Sequence, residues 1–157
     1  MSRSSLEAAI PRGAQILLDT SVVLAYFDGS EAISPAATLV IDEFVNSGRN
    51  PARISAVTVG ETLVRPMKAG QAAVNVVESF LLHFPNLTVT VVDYGVAREA
   101  ARLRATTGLK TPDSLIIASA LAGITSVVVT NDERWAGAMA KAAPGLTLCH
   151  LDAHVPL

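Results

Sequence analysis

The apolar positions of this chain fall into short unbroken runs separated by stretches with helical periodicity. Gln15-Ile16-Leu17-Leu18-Asp19 is the first such run, ending in a carboxylate and followed by the small hydroxyl residues Thr20 and Ser21. A short continuous apolar run of this kind is the signature of a strand buried on both faces, as in a parallel sheet. Similar runs occupy residues 53–57, 87–92, 126–130 and 146–150. Between them the spacing predicts helices over 21–27, 35–46, from Thr58 to an interruption at Pro66, 69–82, from an Asp93 cap to Thr107, 112–122 and 131–138. Ser34-Pro35 supplies a start signal for the second of these, and Thr111-Pro112 opens the sixth. Strands that alternate with helices predict a mostly parallel sheet covered on both faces, joined by right-handed crossovers. The expected architecture is one three-layer α/β/α domain over residues 15–150. Pro11 and Gly13 argue against regular structure before it, so residues 1–14 are expected to form a loosely packed lead-in, and 151–157 a loose tail.

Composition narrows the class. Of 157 residues, 50% are hydrophobic and 17% charged, which excludes disorder and points to some surface covered by a partner. A net charge of -2 argues against a broadly basic nucleic-acid-coating surface, though a local basic rim around a site remains compatible with it. The single cysteine, Cys149, permits no intrachain disulfide and fits a reducing compartment. No window approaches a membrane span, and Met1 to Gly13 lacks a hydrophobic signal core, so a cytoplasmic location without membrane association is expected.

The acids change the picture most. Asp19 ends the first run, Glu61 follows the second, Asp113 lies at the start of the Thr-Pro helix, and Asp132 follows the fourth run. Each has a local explanation: an N-cap for Asp19, a Thr58-x-x-Glu61 capping box, a helix-dipole complement for Asp113, a first-turn position for Asp132. In a parallel sheet, however, most strand ends point the same way, so the four side chains can converge. No lysine or arginine is expected at that edge close by in sequence. Gathered carboxylates repel, and a shared divalent cation relieves the repulsion. All-oxygen ligands suit Mg²⁺ or Mn²⁺, and carboxylate-held Mg²⁺ suits phosphate chemistry in which water is the nucleophile. The chemistry indicated is phosphodiester hydrolysis.

In order and spacing, Leu17-Leu18-Asp19-Thr20-Ser21, Ser55-Ala56-Val57-Thr58-Val59-Gly60-Glu61, Lys110-Thr111-Pro112-Asp113-Ser114-Leu115-Ile116-Ile117-Ala118 and Val128-Val129-Thr130-Asn131-Asp132 resemble the PIN domain. They are most similar to the VapC ribonuclease toxins of bacterial toxin–antitoxin pairs. The resemblance covers residues 15 to 150 and implies a five-stranded sheet ordered 3-2-1-4-5 with Asp19 on the central strand. It further implies that Asp19, Asp113 and Asp132 hold Mg²⁺ or Mn²⁺ directly or through water, with Glu61 acting through water or orienting the nucleophile. Family members cleave RNA, commonly structured RNAs such as tRNA, leaving a 5′-phosphate and a 3′-hydroxyl. They form homodimers and are silenced by a small antitoxin whose C-terminal segment lies across the active-site groove. An apolar surface including Tyr26, Phe27, Leu39 and Val40 is the expected seat of such a segment.

Supporting roles follow from position. Ser21 and Thr130 lie beside the acids and can orient Asp19. Lys110, close to Asp113 in sequence, is a candidate phosphate contact, as are Arg65, Lys68, Arg98 and Arg102, whose alternative is a solvated face. His83, His150 and His154 read as structural, and Cys149 as a small hydrophobe. Two other functions compete. A metal-dependent phosphatase or phosphoacceptor fold would place a second acid two residues after Asp19, where Ser21 stands, or a lysine on the last strand, which has none. A non-catalytic interaction module would keep the acids as caps alone.

Overall fold

A computed structural model describes residues 3–155. Its sheet has five strands, β1 (Ile16–Leu18), β2 (Ala52–Ser55), β3 (Leu87–Thr90), β4 (Val127–Thr130) and β5 (Thr147–His150), in the order β3-β2-β1-β4-β5. All four pairings are parallel. The helices are α1 (Arg3–Ala9), α2 (Thr20–Asp28), α3 (Ser34–Thr38), α4 (Ala56–Ala69), α5 (Gln71–His83), α6 (Tyr94–Thr107), α7 (Thr111–Leu121) and α8 (Arg134–Ala142). The expected architecture and strand order are therefore those observed.

Period-two alternation divides the core. Ile16 and Leu18 of β1, with Val127 and Val129 of β4, face one layer of apolar side chains that includes Phe44 and Phe80; Leu17 and Val128 face the other, with Ile116, Ile117 and Trp135. Register pairs Ile16 with Val127 and Leu18 with Val129, so both strands send residues to each face in step. Every residue of β1 is fully buried, as its unbroken apolar run requires.

Three local features depart from the expectations. From Arg3 onward, the part of the lead-in within the described residues, the chain is ordered: Leu6 and Ile10, one helical turn apart, are completely buried, and Asn50 Nδ2 donates to the carbonyls of Pro11 and Ala14 at 2.8 Å each. The i, i+4 spacing of Leu6 and Ile10 is an anchoring signal that Pro11 and Gly13 mask; they end the helix without loosening it. The start of the C-terminal tail is likewise held, with Leu151 buried in a 3₁₀ turn (Leu151–His154) and His154 Nδ1 2.6 Å from Ser5 Oγ. Pro66 does not interrupt α4, which continues to Ala69 and stops at Gly70, whose φ of 114° favours glycine. Pro66 sits in the last turns, where its missing N–H costs one bond rather than the whole helix.

The helix expected over 35–46 is α3 continued by a π-helical segment (Leu39–Val45), with Asn46 N donating to Ile41 O. Leu39, Val40, Ile41, Phe44 and Val45 are buried, so Leu39 and Val40 belong to the core and offer no docking surface. Tyr26 and Phe27 are half-buried in an aromatic cluster with Phe80.

If α1 is part of the core, Leu6→Ala should destabilise the protein by about 2–5 kcal/mol, the usual range for deleting a buried leucine side chain. Urea unfolding with an unchanged slope would measure it. A frayed lead-in would give no change in midpoint.

Candidate active site

Asp19 directly continues β1: its N–H donates to Val129 O at 2.9 Å, so the last rung of the β1–β4 ladder places its side chain. The side chain is 5% exposed and accepts three hydrogen bonds, from Thr20 N (2.7 Å), Ser21 Oγ (2.7 Å) and Thr130 Oγ1 (2.8 Å). Both hydroxyls are themselves acceptors, Ser21 Oγ from Asn131 N and Thr130 Oγ1 from Asp132 N, each at 3.1 Å. Each hydroxyl thus receives a backbone N–H and turns its own proton towards Asp19, the orientation expected of Ser21 and Thr130. Burial pushes the Asp19 carboxyl above its ordinary range, while the Ser21, Thr130 and backbone hydrogen bonds pull it back.

Glu61 projects from α4 and is exposed. The helix is capped by Ser55, whose Oγ accepts from Val57 N at 3.2 Å and from Ser119 Oγ at 3.0 Å. Thr58 is therefore inside the helix, and the capping-box explanation of Glu61 falls away. Glu61 Oε2 instead accepts from Thr20 Oγ1 at 2.5 Å, across 41 residues of sequence. Asp113 lies in the first turn of α7 but accepts no backbone hydrogen bond among the described residues. Its pKa is raised by burial and by the Asp132 and Asp19 charges, against Arg134 and Lys110, which lower it.

Asp132 has the partner that sequence reasoning missed. Arg134 Nε lies 2.9 and 3.1 Å from the two Asp132 carboxylate oxygens, its Nη2 also bonds Oδ2, and its N–H donates to Oδ1 at 2.9 Å. The same guanidinium lies 3.8 Å from Asp113 Oδ2. The expectation that no cation occupies this edge is corrected. Arg134 stands two residues after Asp132, a spacing that lets one turn bring the guanidinium back over its own carboxylate, and that spacing was the available signal. Arg134 holds the Asp132 carboxyl below its ordinary range.

Asp19, Glu61, Asp113 and Asp132 line one cleft of about 590 Å³ at the carboxyl edge of the sheet, with Glu31, Glu133, Asn131 and Arg134. Among the described residues no three or more histidine, cysteine, aspartate or glutamate side chains are gathered closely enough to hold a metal ion; Arg134 holds Asp132, and Thr20 holds Glu61. Of the other candidate cations, Arg102 binds Glu99 and the Ala142 carbonyl, and Arg65 lies 3.8 Å from Asp28. Lys110 borders a neighbouring cleft together with Asp113. Burial pushes the Cys149 thiol up to about 12, consistent with an inert core residue.

A parallel three-layer domain with its acidic cleft at the carboxyl ends of the central strands belongs to the class of α/β proteins that place their ligands at that edge. The PIN domain model matches residues 16–141, and the chain belongs to the PIN-domain family. No curated protein matches it. Among solved structures it shares the fold of a chain from a toxin–antitoxin complex of Klebsiella pneumoniae (TM-score 0.67, 20% identity, covering 87% of this chain and 98% of that one). It likewise shares the fold of a chain of DNA-bound VapBC from Salmonella typhimurium (TM-score 0.60, 23% identity, 88% and 98% covered). A third is the VapC20 toxin of Mycobacterium tuberculosis, described as cleaving the sarcin–ricin loop (TM-score 0.63, 16% identity, 78% and 95% covered).

The raised pKa of Asp113 has a consequence for stability. A carboxylate whose pKa is higher folded than unfolded costs stability while ionised and regains it as pH falls through the folded value. Asp113→Asn should therefore raise the melting temperature at pH 7 in EDTA, and the gain should shrink as the pH is lowered through that raised value. Thermal melts from pH 7 to pH 4 check both the sign and the pH trend.

Proposed function

We propose that this protein is a metal-dependent endoribonuclease that hydrolyses RNA phosphodiester bonds with water, in the manner of the VapC toxins. The observation that carries the reading is the convergence of Asp19, Glu61, Asp113 and Asp132 on one cleft, from four separate segments of the chain. Local capping accounts for only two of the four: Asp19 caps α2 and Asp132 accepts from Arg134 N, whereas Glu61 caps nothing and Asp113 accepts no backbone hydrogen bond among the described residues.

The donor set suits a hard divalent cation, Mg²⁺ or Mn²⁺, because the acids lining the cleft offer oxygen and neither histidine nor cysteine borders it. The Arg134 guanidinium between Asp113 and Asp132 supports a site that attracts positive charge. Once Arg134 releases Asp132 and the carboxylates close up, Asp19, Asp113 and Asp132 would hold the ion, with Glu61 acting through water. Bound there, such an ion supplies charge neutralisation at a phosphate and an acidified water. The chain's own part is to fix the geometry. Ser21 and Thr130 lock the direction of the Asp19 carboxylate, and Thr20 holds Glu61 at the cleft wall. In the balanced reaction, water adds to phosphorus, the 3′-oxygen departs and takes a proton, and the products carry a 5′-phosphate and a 3′-hydroxyl. Ser21 stands where a haloacid-dehalogenase-like phosphatase would want a second acid, and its hydroxyl donates to Asp19.

The decisive experiment maps the 5′ ends generated when the purified protein meets total cellular RNA with Mn²⁺, beside its Asp19→Asn variant. New ends that need both Mn²⁺ and Asp19 are expected. A wild-type protein that produces none, and shows no carboxylate-dependent Mn²⁺ binding, would be an interaction module.

The reading includes a small antitoxin partner. A mainly apolar groove of about 420 Å³ is lined by Leu24, Phe27, Pro66, Ala73, Val76 and the buried Thr62, whose hydroxyl has no hydrogen-bond partner among the described residues, with Asp28 and Arg65 also on its lining. Leu24 borders both this groove and the acidic cleft, so the two are neighbours, and a segment seated in the groove would need only to pass Leu24 for a basic side chain to meet the acids. A homodimer is the expected assembly, supported by the exposed apolar residues Val91 and Tyr94 beyond β3 and Leu82 of α5. Val76 is 63% exposed, so Val76→Asp should leave the fold intact yet abolish co-purification with the product of the adjacent small reading frame. Retained co-purification would remove the groove from the interface.

A further inference from the structure

Beside the acidic cleft lies a second one, of about 340 Å³, with which it shares Asp113 and Arg134. The charges of the two are divided. The first is bordered by six carboxylates, Asp19, Glu31, Glu61, Asp113, Asp132 and Glu133, against Arg134 alone. The second is bordered by Lys110, Arg134 and Lys141 against Asp113 alone. Lys110 and Lys141 are both exposed, and neither forms an ion pair among the described residues. They come from different elements. Lys110 closes the loop after α6, which is pinned by Arg104 Nε donating to Leu109 O at 3.2 Å, and Lys141 lies on the last turn of α8.

Gly137 adds an independent observation. It sits inside α8, where glycine is disfavoured relative to alanine, and a Cβ built there would meet nothing within 4 Å. Packing therefore does not require glycine. Its effect is to present helix backbone rather than a side chain at this part of the cleft lining.

An RNA strand brought to the acidic cleft meets repulsion at every position the cation does not neutralise, and needs its affinity from somewhere else. Phosphate oxygens are held by lysine and arginine, and such contacts position a strand without reading its bases. We infer that the second cleft seats a backbone phosphate adjacent to the scissile one, clamped between Lys110 and Lys141, with Arg134 on the shared wall. This rests on the ribonuclease reading and adds to it the direction in which the strand leaves the acids: over Gly137, between α8 and the α6–α7 loop.

The test uses binding and turnover together. Fluorescent single-stranded RNA is titrated into Asp19→Asn protein in EDTA at several salt concentrations, with and without added Lys141→Ala and Lys110→Ala. Each lost contact to a single strand should reduce the slope of log affinity against log salt by about 0.7. The pair should therefore lower it by about 1.4. In the Asp19 background, Lys141→Ala should raise KM several-fold with little change in kcat. Gly137→Leu, which adds a side chain to the cleft lining at an uncrowded helical position, should raise KM likewise without lowering the melting temperature. An unchanged salt slope, or an unchanged KM for Lys141→Ala, overturns the phosphate seat while RNA cleavage by the wild type leaves the nuclease standing. Absence of cleavage by the wild type would remove both.

Discussion

A carboxylate buried at the end of the central strand is the constraint on which the rest of this structure depends. Burying Asp19 is costly unless its oxygens are hydrogen-bonded, and the donors that satisfy it come from the first residues of α2 and the end of β4. That requirement ties the β1–β4 register to the site. A slip of one residue would move Thr130 to the opposite face of the sheet and strip Asp19 of a donor. The apolar run of β1 holds the strand in place, and the hydroxyls after it and on β4 are fixed by backbone amides of the loop that carries Asp132. The framework and the cleft are thus one hydrogen-bonded unit.

Arg134 gives the acidic edge its second organising contact. By forking Asp132 and approaching Asp113, it offsets repulsion that four converging carboxylates would otherwise exert on one another. It also stands on the boundary between the two clefts, so the positive charge nearest the acids is shared with the basic wall of Lys110 and Lys141. Negative potential and positive potential are placed side by side.

Much of this was legible in the sequence because the relevant signals are short-range. Asp19, Asp113 and Asp132 each mark a junction between an apolar strand or helix cap and the next element, and parallel topology then brings such junctions to one edge. Glu61 was legible from its place just after the second strand, and the capping box that competed with that reading does not form, since Ser55 rather than Thr58 caps α4. The misses are contacts between segments distant in sequence or against a composition bias. The order in α1 depends on Leu6 and Ile10 finding the core and on Asn50 reaching back across 36 and 39 residues, which no local pattern displays. Arg134 was overlooked because a charge just inside a helix normally reads as solvated. The π-helical turn leaves the 3.6-residue periodicity nearly intact over so short a span, so Leu39 and Val40 could be assigned a helix yet not a side.

The hydrogen bond from Thr130 to Asp19 spans 111 residues of chain. During synthesis the first acid emerges early, and Glu61 and Asp113 follow, yet the carboxylate at the centre is not locked until the fourth strand has slotted beside the first. A chain lacking that strand carries three of the four acids and lacks the Thr130 hydroxyl that holds Asp19. The geometry of the cleft is therefore a property of the closed sheet rather than of any one segment: none of the acids can be set in place by its own neighbourhood alone.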